Sequence, residues 1–129
     1  MAVLLLDTHV LLWWLAGDRR LSAEALDAIG DEANEIFVSA ASTWEIATKI
    51  QIGTLAAPTL AGGGITRAIA AQGFETLAIS AGHGERAGSL PGAHRDPFDR
   101  MLIAQAQAEA MAIVSNRSVF DEFGVTRIW

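Results

Sequence analysis

The chain contains no cysteine, which excludes disulfides and thiolate zinc sites and is compatible with a reducing compartment. No apolar run reaches the ~20 residues of a bilayer span, because Asp7 and His9 interrupt the one near the N-terminus. The basic start of a secretory signal is lacking too. The expected setting is therefore soluble and cytoplasmic, without a membrane partner. Basic residues are scarce: nine Lys and Arg stand against fifteen Asp and Glu, a formal net charge of −6. That balance argues against a general nucleic-acid binder, which carries a basic stripe. It leaves a nuclease open, since an acidic pocket loaded with divalent cations reverses its local sign and attracts phosphate.

What is present points to one globular domain over residues 1–129, with 51% hydrophobic and 19% charged residues. Val3–Leu4–Leu5–Leu6 is an unalternating apolar run that ends on Asp7. Such a run fits a strand buried on both faces, as in a parallel sheet covered by helices. After Asp7, the residues Val10, Leu11, Trp14 and Leu15 recur at helical spacing, with Thr8 as N-cap. Strand, acid, helix places Asp7 at the carboxyl end of a strand, where open α/β sheets hold their ligands.

The rest of the chain alternates in the same way. Ser22 caps a helix over 23–33, with Leu26 and Ile29 inward and Glu24, Asp27 and Asp31 outward. Ile36–Val38 is a second strand, and a helix carrying Trp44 to Ile52 ends at Gly53. Thr54 to Gly64, with Pro58 and three glycines, reads as a loop. Helix over 65–72, strand over 74–79 and short helix over 80–89 follow. Pro97 behind Asp96 opens a well-signalled helix to about Ala110. A strand over 112–115, a short helix over 119–123 and an edge strand over 125–129 complete a three-layer α/β domain around a mainly parallel, twisted sheet flanked by helices.

The acids each have an ordinary explanation. Asp7 fits an Asx turn or helix cap. Ser42-x-x-Glu45 reads as a capping box, and Glu45 with Lys49 as an i,i+4 ion pair. Asp96 caps the following helix, and Asp99 lies in its first turn, where the dipole favours negative charge. As a set they say more. Asp7, Glu45 and Asp99 all fall at strand ends or helix starts on one sheet edge, where converging carboxylates repel unless a counter-cation joins them. Mg²⁺ or Mn²⁺ is that cation, a hard ion for oxygen ligands, and phosphodiester hydrolysis is the chemistry most natural to it.

Competing motifs are lacking. Gly62-Gly63-Gly64 is not followed by Lys-Ser/Thr, so there is no Walker loop. His9, His83 and His94 form no His-Glu-x-x-His helix and read as surface or loop residues, and no serine sits in a Gly-x-Ser-x-Gly elbow. Trp13, Trp14 and Trp44 lie in apolar helical patterns, which favours core packing over base stacking.

Three blocks carry a family resemblance: Leu5-Leu6-Asp7-Thr8-His9-Val10; Ser42 to Lys49 with Gly53; and His94-Arg95-Asp96-Pro97-Phe98-Asp99-Arg100 onward to Ala106. Together, over Val3 to Trp129, the chain resembles PIN-domain proteins and, more narrowly, VapC-type toxins of bacterial toxin–antitoxin pairs. The resemblance implies an endoribonuclease dependent on Mg²⁺ or Mn²⁺, acting on tRNA or other structured or single-stranded RNA. It also implies a cognate antitoxin partner and a homodimer. Carried over by position, Asp7, Glu45 and Asp99 match the family's first three acids, with Asp7 and Asp99 ligating metal and Glu45 ligating it or orienting the attacking water. Asp96, Thr8 and Ser115 would support them from behind.

The chain departs from the family at the fourth acid. The pattern there is Thr or Ser, one residue, then Asp, whereas here Ser115 is followed by Asn116 and Arg117. Asp121 is a possible substitute one helical turn away. The alternative expectation is a catalytically impaired PIN-like module that binds RNA or its antitoxin without cleaving. A phosphatase using Asp7 as nucleophile ranks last, because His9 stands where its second acid belongs.

Overall fold

The computed structural model describes residues 1–56, 60 and 64–129. Most of the glycine-containing loop read at 54–64, including Pro58, lies outside the described residues. Five strands form one sheet: β1 (Val3–Leu6), β2 (Glu35–Ser39), β3 (Glu75–Leu77), β4 (Ala112–Val114) and β5 (Arg127–Ile128). Their order is β3-β2-β1-β4-β5 and every pairing is parallel, with Leu5 opposite Phe37 on one side and Ile113 on the other. The first-read strand is therefore the centre of the sheet, and Leu4, Leu5 and Leu6 are fully buried. Each such side chain contributes about 1.5–3 kcal/mol by leaving water.

Alternation along β1 divides the core in two. Leu4 and Leu6 face a cluster built from α1 (Thr8–Ala16), α2 (Ala23–Gly30), α3 (Ala40–Gln51) and α4 (Gly64–Ala71). Leu5 faces the opposite layer, where Leu102, Ile103 and Ala106 of α6 (Pro97–Glu109) pack with Phe120 of a short 3-10 helix, Ser118–Phe123. Helix α5 (Ala81–Ser89) lies against α6. Three layers result, as the alternating pattern requires.

Several boundaries differ from the sequence reading, each for a local reason. Helix α1 starts at Thr8, so Asp7 and not Thr8 takes the N-cap position, with extended φ −63° and ψ 149° and no capping bond from its side chain. Helix α3 starts at Ala40, because Ser39 is already a cap whose hydroxyl accepts from Ala41 N–H. Ser42 is thus inside the helix and the capping box with Glu45 does not form. Helix α2 ends at Gly30, and Leu26 is 45% exposed while Ala25 takes the inward place beside Ile29. Past α3, Gly53 adopts φ +80°, the left-handed backbone that ends the helix. Trp13 and Trp14 pack on Trp129 and Phe74, but Trp44, expected in the core, is 63% exposed and meets Phe98 edge-on. His83, read as a surface or loop residue, is buried in α5, where Ser80 N–H and Glu109 hold its two ring nitrogens.

Among the described residues, no helix is long and apolar enough to cross a membrane.

Candidate active site

The carboxyl ends of the two central strands bring the site together. Asp7 follows β1 directly and Ser115 follows β4, its register neighbour. Asp7 N–H donates to the Val114 carbonyl at 3.1 Å, and the Ser115 hydroxyl donates to Asp7 Oδ2 at 2.7 Å. Asp99 arrives from the other layer, in the first turn of α6. The cap read from the sequence holds it there: Asp96 Oδ1 accepts from Phe98 N–H at 2.9 Å and Asp99 N–H at 3.0 Å. Pro97 at the start of that helix has no N–H to satisfy. Asp7 and Asp99 are only 1% and 3% exposed. Two buried acids at this spacing need positive charge.

Arg117 supplies it. Its Nε donates to Asp7 Oδ2 at 3.1 Å and its Nη2 to Asp7 Oδ1 at 3.2 Å, a two-pronged contact. Its Nη1 donates to Asp99 Oδ2 at 3.0 Å, and Nη2 also reaches Asp99 Oδ1. One planar group therefore lies between both acids and uses all three of its nitrogens. The Arg117 backbone N–H donates to the Ser115 hydroxyl at 3.0 Å, and the guanidinium carbon lies 5.2 Å from the centre of the Phe120 ring. Burial alone would lower the Arg117 pKa. Hydrogen bonds and charge from Asp99 and Asp7 outweigh it, holding the guanidinium above its ordinary value. Arg117 is therefore a cation across the neutral range.

Other expected residues stand nearby in different roles. Glu45 is buried, yet its Oε2 accepts from Lys49 Nζ at 2.7 Å, the simple i,i+4 pair. Thr8 donates its hydroxyl to Ser42 at 2.9 Å, tying the start of α1 to α3 one turn before Glu45. Asp121 makes no part of this centre: it receives Arg127 Nε at 2.9 Å and Nη2 at 3.0 Å on a half-exposed side chain. His94, read as a loop residue, is the participant that the sequence reading missed. Its Nε2 lies 2.8 Å from Asp99 Oδ2, so that nitrogen donates while Asp99 is ionised. Helical periodicity does not reach a residue upstream of the cap, and only its place in the third block marked it.

The donor chemistry of Asp7 and Asp99 suits Mg²⁺ or Mn²⁺, but the arrangement does not. All four carboxylate oxygens already accept from Arg117, with Ser115 and His94 adding to one oxygen each. Glu45 is turned to Lys49. Among the described residues, no group of three or more His, Cys, Asp or Glu side chains is placed to hold a metal ion. With Arg117 where it is, the residues do not fit a divalent cation.

Comparison with known proteins places this geometry. The PIN domain model matches residues 4–125. Ribonuclease VapC22 of Mycobacterium tuberculosis (strain ATCC 25618 / H37Rv) is 34% identical over 121 residues, covering 89% of this chain and 87% of that protein. VapBC2 from Rickettsia felis, solved bound to a promoter DNA fragment, superposes with TM-score 0.65 at 14% identity over 97% of this chain and 96% of its own. Mycobacterium tuberculosis VapC20, a toxin that cleaves the sarcin–ricin loop, superposes with TM-score 0.62 at 16% identity over 95% of this chain and 96% of its own. A parallel five-stranded sheet, acids gathered at its carboxyl edge and a match running almost the length of the chain lead to one assignment: the chain belongs to the PIN domain family, and within it to the VapC type.

Proposed function

We propose that this protein is an endoribonuclease, the toxin of a type II toxin–antitoxin pair, with its reactive centre at Asp7 and Asp99. The observation that carries the reading is the pair of almost fully buried carboxylates at the carboxyl edge of a parallel sheet, brought from elements far apart in sequence. Burying two acids costs stability that a scaffold has no reason to bear. The relative named as a ribonuclease and the structural neighbours solved as toxin–antitoxin complexes support the same reading. By the same analogy the partners are RNA, an antitoxin and a second copy of the chain, in the cytoplasm. Asp7 and Asp99 would hold the positive charge that meets the scissile phosphate, with Ser115, His94 and Asp96 holding their directions.

Arg117 favours a second reading, in which the centre is impaired and the protein holds RNA or antitoxin without cutting. One assay separates them. Purified protein is incubated with a pool of tRNA and single-stranded RNA in Mg²⁺, in Mn²⁺ and in chelator, beside Asp7→Asn and Arg117→Asp. Cutting by the parent that disappears in Asp7→Asn supports the ribonuclease. Cutting by Arg117→Asp alone means a nuclease restrained at one position. RNA retention with no product from either points to the binding role.

A further inference from the structure

We infer that Arg117 is a tethered counter-ion that keeps the Asp7–Asp99 centre closed to divalent cations until its side chain leaves. The inference concerns the control of the site proposed above and rests on that reading only for its biological meaning.

The geometry supports it in three ways. First, any cation shared by Asp7 and Asp99 must lie between their carboxylates, and the guanidinium lies there, with Nη2 donating to both acids. Second, a dication entering beside a fixed positive charge meets like-charge repulsion in a poorly hydrated setting. The oxygens it needs are also already taken. Third, Arg117 is held as a built element: its backbone N–H is fixed by Ser115 and its guanidinium lies near the Phe120 ring.

The contact can also open. The Arg117 side chain is 32% exposed while the Asp7 and Asp99 side chains are 1% and 5% exposed. Opening would break the four contacts to the acids but, since Asp7 and Asp99 are held by their own elements, requires movement of the Arg117 side chain alone. Once outside, its flat fork suits a phosphodiester as well as a carboxylate. The same movement would uncover two hard-oxygen ligands.

Direct Mn²⁺ binding tests this, read from loss of the free-ion signal in electron paramagnetic resonance. The proteins are the parent, Arg117→Gln, Arg117→Lys and the double variant Arg117→Gln/Asp7→Asn. Arg117→Gln is expected to bind Mn²⁺ at least about tenfold more tightly than the parent. Arg117→Lys, which keeps a charge but loses the fork, should fall between them. The double variant should lose the gain, which locates it at Asp7. Equal affinity of parent and Arg117→Gln overturns the inference, as does an absence of Mn²⁺ binding in every variant. If Arg117→Gln fails to fold, parent and Arg117→Lys decide: equal affinities overturn it and tighter binding by the lysine variant supports it. A gain of Mn²⁺ binding with no RNA cut by any variant would end the ribonuclease reading and leave this one standing. Equal Mn²⁺ affinity with RNA cut by the parent would do the reverse.

Discussion

Two arginines beyond β4 make the same contact in different surroundings. Arg117 forks onto Asp7 and Asp99 inside the carboxyl edge of the sheet. Arg127, in β5, forks onto Asp121 at the rim. Hydrogen-bond lengths do not separate the forks on Asp7 and Asp121, at 3.1 and 3.2 Å against 2.9 and 3.0 Å. The acids do: the Asp121 side chain is 51% exposed, the other two no more than 5%. An exposed carboxylate exchanges its arginine for water at little loss. A buried one has no such option: without its partner it must take another cation or a proton. The difference that marks a centre is burial of the acid and not the shape of the pair.

The largest expected effect comes from breaking the buried fork. In chelator, Arg117→Gln should lower the unfolding free energy in urea by about 2–3 kcal/mol. That is less than the ~3–5 kcal/mol of a fully buried pair, because the guanidinium is one-third exposed. Adding Asp99→Asn removes one of the stranded charges. The double variant should therefore lose less than the sum of the single ones, with a coupling of about 1–3 kcal/mol. Simple additivity would mean that acid and arginine do not act as a unit. pH will not do what mutation does. A raised arginine pKa keeps its contribution at every pH below the ordinary arginine value and loses it only above, so loss of the arginine proton does not open the fork across the neutral range.

How much of this was legible beforehand differs between fold and site. The central strand, the caps at Ser22 and Asp96 and the helix opened by Pro97 all follow from short-range rules, and the structure contains them. Parallel pairing followed from apolar runs without alternation. Local rules failed where two signals competed. Ser39 caps α3 before Ser42 has the chance, and Trp44 looks like a core residue only until its helix face is known. At the site, Asp7, Glu45 and Asp99 were expected as a set, of which Arg117 joins Asp7 and Asp99, and that partner was not readable. Arg117 entered as a departure from a family pattern, and no spacing rule states that it would span two acids from different layers. Glu45 shows the converse, since its plainest reading, the pair with Lys49, is the contact observed. Long-range convergence lies in the packing, not in the local pattern.

A smaller effect should come from loosening one wall of the buried fork while leaving the fork itself. Asp96→Ala removes the cap that accepts from Phe98 and Asp99 N–H. Caps of this type are worth ~1 kcal/mol, within a range of about 0.5–2 kcal/mol. The urea midpoint should fall accordingly, and amide exchange should quicken at Phe98 and Asp99 before it does elsewhere in α6. Uniform quickening along the helix would show that the cap sets the helix as a whole and not the position of Asp99.

The smallest effect is reserved for the rim. Asp121 has its pKa lowered, mainly by the hydrogen bond from Arg127. A lowered carboxyl pKa adds stability above the unfolded-state value, and that stability is lost as pH falls through the folded one. The sign therefore puts the loss of any Asp121 contribution at the acid end. Its half-exposed side chain is open to water and salt, which screen it there. Acid unfolding of Asp121→Asn should overlay that of the parent at physiological salt, and its Mn²⁺ affinity should match the parent's. A shift in either would mean that the rim pair reaches the centre through Arg127, whose Nη1 also donates to the Ser115 carbonyl at 3.1 Å. In that case burial of the acid would no longer separate the two arginines, and the Ser115 backbone would be the link between them.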